Sequence, residues 1–186
     1  MIITTMQSRS SANTSMNSVK LPTAFTKVTP HGHVCDFGCG KYTDHIKAHC
    51  DLSGALSYNP YDPYNQPEDE NNKTAFIAEK RGFDMVYCCN VLNVIDSLTG
   101  IYEAISTVLS WLLYHRGTAI FQIYEGDKSG IGKETKWDCW QRNERAEKYI
   151  GYIIASILFM KKPDITTDTC TITRKGNIII VEKNIL

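Results

Sequence analysis

The run Val34-Cys35-Asp36-Phe37-Gly38-Cys39-Gly40 limits what this chain can fold into more than any other stretch. Val34, Cys35 and Phe37 read as a short buried strand, and the alternating glycines read as a tight turn. The segment from Lys41 to Cys50 can then be helical, since Ile46 and Cys50 stand four apart on one face. Strand, glycine turn and helix in this order point to an open α/β sheet, in which ligands bind beyond the carboxyl ends of the strands. Gly38 and Gly40 carry no side chain to hold a ligand off the backbone. Asp36, at the strand's carboxyl end, is placed to accept hydrogen bonds from a cationic amine. Two nucleotide motifs are excluded. No glycine stands at the sixth place of a G-x-G-x-x-G, and Gly40-Lys41-Tyr42 lacks the longer loop and the Ser or Thr of a Walker sequence.

The rest of the chain supplies the elements such a sheet needs. Residues 1–20 are rich in Ser, Thr, Asn and Met and read as a mobile arm that settles on a surface when a partner or ligand is present. Residues 21–186 read as a single domain. Leu21 to Val28 predicts a short helix, with Pro22 in its first turn and Leu21, Phe25 and Val28 on one face. A second strand is expected near Gly54 to Tyr61, running into a loop stiffened by Pro60, Pro63 and Pro67. Glu68 to Asn72 reads as an acidic loop and Lys73 to Ala78 as a short third strand. Phe83 to Asn90 is expected as the fourth strand. Asp96-Ser97 can start a helix to Tyr114, and Gly117 precedes a fifth strand over Thr118 to Tyr124. A polar loop, 125–143, leads to a helix from Glu144 to Met160. The chain closes on a hairpin, Cys170–Arg174 and Ile178–Lys183, with Gly176-Asn177 at its turn.

Asp36-Phe37-Gly38-Cys39-Gly40, the Phe83-Asp84-Met85-Val86 start of the fourth strand, the Val91-Leu92…Ile95 run after it and the closing hairpin occur in one order. Together they resemble class I S-adenosylmethionine-dependent methyltransferases over roughly residues 20–183. Tyr42 stands where the family pattern has a third glycine. The resemblance implies a Rossmann-like class I methyltransferase sheet, mostly parallel with a C-terminal antiparallel hairpin, and S-adenosylmethionine as cofactor. It implies that Asp36, Phe37, Gly38, Cys39 and Gly40 line the cofactor's path and that an acid ending the second strand accepts its ribose hydroxyls. Asp62 is favoured for that task over Asn59, because an amide spends part of its capacity as a donor. Cys89, Asn90 and Val91 are implied to lie by the adenosine and the donated methyl.

The loops after the fourth and fifth strands usually shape the acceptor site in this family. Here they offer Lys128, Lys133 and Arg142 for anions and Trp137 for stacking, which suits a nucleotide or nucleic acid. Asp62-Pro63-Tyr64-Asn65 also resembles small methyltransferase-like proteins of bacteriophages. Asn59-Pro60-Tyr61 is similar to the acceptor motif of amino-methylating enzymes, but follows the wrong strand and lacks the second proline. A Cys89 thiolate attacking a pyrimidine ring is a further option, although carbon-methylating enzymes place a proline where this chain has Cys88. No general base and no metal site is identifiable. The alternative is a degenerate methyltransferase-fold protein that binds the cofactor or a protein partner without catalysis, which Tyr42 and the missing acceptor motif favour.

Composition narrows the setting. Lys plus Arg and Asp plus Glu number 20 each, so any attraction to nucleic acid must be local. The 186 residues fit one domain able to bury roughly 70% of its unfolded surface, with no room beside it for an ordinary target-recognition domain. Seven cysteines without Cys-x-x-Cys spacing, and no signal-peptide pattern, make a reducing cytosol the expected compartment (a host's, if the bacteriophage resemblance carries through). The apolar run Ile150 to Met160 is interrupted and too short to span a bilayer.

Overall fold

A computed structural model describes residues 7–13 and 19–184; residues 1–6, 14–18 and 185–186 of the expected arm and terminus lie outside the described residues. The chain forms α1 (Thr23–Lys27), β1 (His33–Phe37), α2 (Asp44–Leu52), β2 (Ser57–Tyr61), α3 (Glu68–Lys80), β3 (Met85–Cys89), a 3₁₀ turn (Leu92–Val94) and α4 (Leu98–Ser110). It continues through β4 (Arg116–Gln122), β5 (Lys133–Lys136), β6 (Cys139–Gln141), α5 (Ala146–Met160), β7 (Cys170–Lys175) and β8 (Ile178–Asn184). Six strands make one sheet in the order β2-β1-β3-β4-β8-β7. The first four run parallel, and β8 and β7 are antiparallel to their neighbours. The strand order reverses at β1, which pairs with β2 on one side and β3 on the other, and a crevice opens at such a reversal.

Alternation along the strands fills both faces. On β3, Met85 and Tyr87 pack with Phe25, Ile46 and Cys50 of α1 and α2. Val86 and Cys88 point the other way, into a larger cluster with Ile101, Ile105 and Leu109 of α4 and Tyr149 and Ile153 of α5. Each aliphatic side chain buried in this way contributes about 1.5–3 kcal/mol. The short helix α1 is fixed at two points. Phe25 stacks on Tyr87 at 3.9 Å between ring centroids, and the Tyr87 hydroxyl donates to the Val28 carbonyl at 2.6 Å. Asp84 holds the entrance to β3, its Oδ2 accepting from His33 N at 2.8 Å.

The expected third strand, Lys73 to Ala78, is not a strand. It belongs with Glu68 to Asn72 to a single helix, α3. Pro67 precedes the helix, Glu68, Asp69 and Glu70 fill its first turn and Lys80 its last, which matches the helix dipole at both ends. Thr74 and Ala78, four apart, are its buried residues. The later strands are therefore the third and fourth of the chain. The polar loop over 125–143 holds a small hairpin, β5–β6, outside the main sheet. Among the described residues no helix is long and apolar enough to cross a membrane.

Candidate functional site

A cavity of about 340 Å³ lies beyond the carboxyl ends of β1, β3 and β4, at the point where the strand order reverses. The glycine turn forms its floor. Gly38 and Gly40 adopt φ +75° and +73°, the left-handed region that costs an alanine about 1–2 kcal/mol. Gly38 N donates to the Tyr61 carbonyl at 2.7 Å, which bends the chain against the end of β2. A Cβ on Gly38 would stand 2.3 Å from Val91 Cγ2, so the turn and the 3₁₀ segment after β3 meet only because position 38 is bare. Tyr42 is about half exposed on the cavity lining and leaves the turn unplugged.

Asp36 is 2% exposed at the end of β1, and its Oδ2 accepts from the Tyr58 hydroxyl at 2.9 Å. Burial pushes its carboxyl up to about 7; the Tyr58 hydrogen bond pulls the other way, and the charge of Asp62 adds to the rise. A cation seated beside it would be paired with a carboxylate that otherwise resists ionising. Phe37 turns away from the sheet's α1–α2 face, with its ring 5.2 Å from that of Tyr61 and 5.6 Å from that of Trp111.

Asp62 follows β2 and is almost fully buried. Its carboxylate accepts from Gly40 N at 2.9 Å, Tyr64 N at 2.9 Å, Asn65 N at 3.0 Å and Asn65 Nδ2 at 3.2 Å. Gln66 Nε2 reaches the Gly40 carbonyl at 2.6 Å, so the proline-rich loop and the glycine turn are tied from both ends.

Cys89 ends β3 and Asn90 follows it, both on the cavity wall, while Cys88 is buried in the core. Burial, then the charges of Asp36 and Cys88, raise the Cys89 thiol well above its ordinary range. A neutral thiol is a poor nucleophile, so this burial works against attack on a pyrimidine ring. Asn90 sits at φ +60°, its N–H donating to the Gln122 carbonyl at 2.7 Å. Gln122, from β4, was not singled out in the sequence; its Oε1 accepts from Ala24 N at 2.6 Å and anchors α1 beside the cavity. A polar side chain interrupting the apolar run from Ala119 to Ile123 was the signal.

The described part of the arm is the other addition. Gln7, Ser10, Ser11 and Ala12 line the cavity. Ser8 N donates to Asp96 Oδ1 at 3.1 Å, Ser10 N to Asp138 Oδ2 at 3.1 Å and Ser11 N to the Asp138 carbonyl at 2.9 Å. Arg9 lies over the Trp140 ring at 5.2 Å. No motif in residues 7–12 announces this role.

None of Lys128, Lys133, Trp137 and Arg142 lines the cavity. Lys128 pairs with Glu125 at 3.0 Å and Lys133 with Asp127 at 2.9 Å, both at the surface. Trp137 is 83% exposed between β5 and β6. Arg142 departs from the role expected of it. It is turned inward, with Nε and Nη2 on the Glu144 carboxylate at 3.1 and 3.2 Å and Nη1 on the Asp96 carbonyl at 3.2 Å. A guanidinium spent in this way is structural and offers little to an incoming anion.

No family model matches the sequence, and no curated protein matches it. Solved structures do. The 1,6-didemethyltoxoflavin-N1-methyltransferase of Burkholderia thailandensis, bound to 1,6-didemethyltoxoflavin and S-adenosylhomocysteine, is similar at TM-score 0.59 and 13% identity, over 88% of this chain and 76% of that one. The release-factor-specific protein-(glutamine-N5) methyltransferase of Alicyclobacillus acidocaldarius is similar at TM-score 0.50 and 13% identity, over 87% and 86%. A Rhodobacter sphaeroides structure described as a Zn-dependent alcohol dehydrogenase matches at TM-score 0.51 and 13% identity, over 87% of each chain. Among the described residues here, no group of three or more His, Cys, Asp or Glu is arranged to hold a metal. At these identities the likeness is one of fold: a mostly parallel Rossmann-like sheet closed by an antiparallel hairpin, as in class I methyltransferases.

Proposed function

We propose that the chain is an S-adenosylmethionine-dependent methyltransferase acting on a nucleotide or nucleic acid in the cytoplasm. The observation that carries the reading is the bare glycine turn beside Asp36, opening into a cavity at the strand-order reversal of a methyltransferase-like sheet. The volume is at the lower end of the range for small-molecule sites, roughly 300–1,000 Å³. The residues suit the group. Asp36 would accept from the ammonium of the methionyl end, the backbone of Gly38 to Gly40 allows close approach, and Val91 offers an apolar surface to the nucleoside. The bound sulfonium would supply an activated methyl group. The chain's own task is to hold the acceptor in line with it and keep water out, which suffices for a leaving group of this quality. No side chain in the cavity is assigned as a general base. Lys128, Lys133 and the exposed Trp137 stand outside the cavity, where they would meet a polyanion rather than the reacting atom.

Calorimetry with S-adenosylhomocysteine, followed by tritium-methyl transfer to nucleic acids, nucleotides and cell extract, tests the proposal. Tight binding with transfer to a nucleotide or nucleic acid is expected, and Lys133→Ala should change acceptor use only. Absence of binding overturns the reading. Binding without transfer to any acceptor would instead make this a cofactor-binding protein.

A further inference from the structure

Residues 7–11 of the arm touch loops that follow β2, β3 and β4. Gln7 Nε2 donates to the Tyr64 hydroxyl at 3.2 Å, in the loop after β2. Ser8 N donates to Asp96 Oδ1 at 3.1 Å, after β3, and the Ser8 hydroxyl donates to Oδ2 of the same carboxylate. Ser10 N and the Ser10 hydroxyl both donate to Asp138 Oδ2, in the β5–β6 hairpin after β4. The Ser11 hydroxyl donates to the Val94 carbonyl at 2.9 Å and accepts from Trp140 N at 3.2 Å. In the sheet order β2-β1-β3-β4, a run with these contacts passes over the ends of β1 and β3, where the crevice lies. The length agrees. Strands spaced ~4.8 Å apart put β2 and β4 ~14 Å from each other, and an extended run of this length reaches ~17 Å. Gln7, Ser10, Ser11 and Ala12 accordingly line the cavity.

What holds this run is polar. Gln7-Ser8-Arg9-Ser10-Ser11-Ala12 has no large apolar side chain, and none of these residues belongs to either core cluster. Arg9 pairs with Glu134 at 3.2 Å and with Asp96 at 3.6 Å, but its side chain is 31% exposed, and ion pairs so open to water are weak. Ser11 sits at φ +48°, a left-handed conformation that strains a residue with a Cβ. A segment with few apolar contacts, exposed ion pairs and a strained residue opens far more easily than the sheet beneath it. Opening it need not disturb the glycine turn, because α1 downstream is fixed separately by Phe25 on Tyr87.

We propose that residues 7–12 are a strap across the cavity, latched on the carboxylates of Asp96 and Asp138, which opens to let a ligand in or out and closes over it once bound. The inference rests on the S-adenosyl reading for the identity of that ligand. Closed, the strap keeps water from the transfer. Its opening sets how fast the spent cofactor leaves.

Association and dissociation rates of tritiated S-adenosylhomocysteine, measured by rapid filtration on the full chain, test it. Loosening a gate speeds entry and exit alike, whereas loosening a fixed wall that merely touches the ligand speeds exit alone. Ser8→Ala with Ser10→Ala removes two hydroxyl donors from the latch and should raise both rates about tenfold. Arg9→Ala should raise both about threefold at low salt. Added salt should move the wild-type rates toward those of Arg9→Ala, since the ion pairs it screens are the ones that variant lacks. The thermal midpoint without ligand should stay at its wild-type value in both variants, because the strap opens apart from the core. Association rates unmoved in both variants overturn the inference, as does a lowered midpoint with unchanged rates. A wild-type chain that binds no S-adenosylhomocysteine sinks the cofactor reading as well; normal binding with unmoved association rates sinks the strap alone.

Discussion

Replacing Asp36 with asparagine should change how stability depends on pH, by an amount that follows from the burial of this one carboxyl. Asp36 is 2% exposed, and its carboxyl rises from an ordinary 3.8 to about 7, chiefly because burial penalises the charged form. Below about pH 4 the folded and unfolded chains both hold the proton, and the group costs nothing. Between that point and pH 7 the unfolded chain gives its proton up while the folded chain keeps it, so stability falls as pH rises. At about 1.4 kcal/mol per pH unit the loss reaches about 4 kcal/mol, and it is constant above pH 7. The asparagine of the variant cannot ionise, so it escapes this loss. It has its own pH-independent cost of about 1–3 kcal/mol for an amide N–H without an acceptor. The difference in stability, Asp36→Asn minus wild type, should therefore shift by about 4 kcal/mol in the variant's favour between pH 4 and pH 8. Urea titrations followed by tryptophan fluorescence at intervals across that range measure it. A second readout uses the proposed ligand. Its ammonium favours the carboxylate, so at pH 6 S-adenosylhomocysteine should expel a proton from Asp36, seen as a buffer-dependent heat that is absent in Asp36→Asn. Wild-type and variant curves that run parallel across pH would refute the reasoning, because Asp36 would then ionise alike in the folded and unfolded chains.

Three further outcomes are expected. Gly38→Ala places a side chain at φ +75° and a Cβ 2.3 Å from Val91 Cγ2; melting should show a loss of about 1–2 kcal/mol from the backbone alone, and calorimetry at least a tenfold loss of S-adenosylhomocysteine affinity. Adding Val91→Ala should recover only part of the stability, since it relieves the clash and not the backbone. Lys183 is 1% exposed, with Nζ 2.5 Å from Asp164 and 5.5 Å from the Tyr114 ring centre. Lys183→Met should cost about 3 kcal/mol in a denaturant titration by stranding Asp164, and Lys183→Met with Asp164→Leu should recover most of it. Ser97 caps α4 by accepting from Gly100 N at 3.0 Å; Ser97→Ala should cost about 1 kcal/mol in the same titration and leave ligand affinity unchanged.

Features set by local backbone chemistry could be read directly from the sequence. Gly38 and Gly40 declare a left-handed turn, Asp36 stands one residue from its start, and the closing hairpin follows from alternation around Gly176-Asn177. What could not be read depends on which partners the folded chain brings together, some of them far along it. Arg142 advertises a positive charge, but its use is decided by Glu144 and by the carbonyl of Asp96, 46 residues away. Asp62 advertises two acceptor oxygens, and only the folded loop shows that backbone N–H groups have taken them. The arm gives no signal at all, because Ser8, Ser10 and Ser11 acquire a place only when Asp96 and Asp138 are brought together. Local propensity and pairing at a distance are separate sources of information, and the site draws on both.

The missing edge strand shows the same division, with one residue that could have settled it. A strand over 73–78 would have had to extend the sheet beyond β2, since β1 already carries β2 on one side and β3 on the other. Pro60 lies inside β2, and a proline cannot donate to a second neighbour, so it is confined to an edge. The Pro60 carbonyl, which a further strand would have met with a backbone N–H, instead accepts from Thr74 Oγ1 on α3 at 2.8 Å. The outer side of β2 is thus covered by a helix, and one side chain of that helix satisfies the Pro60 carbonyl. The proline that rules out another strand lies two residues before Asp62, and Asn71 of the same helix accepts from Asp62 N at 2.8 Å through Oδ1. One helix therefore ends the sheet and fixes the loop that forms this wall of the cavity. A strand in its place would have met the Pro60 carbonyl but left the Asp62 N–H, which lies beyond β2, without the Asn71 side chain.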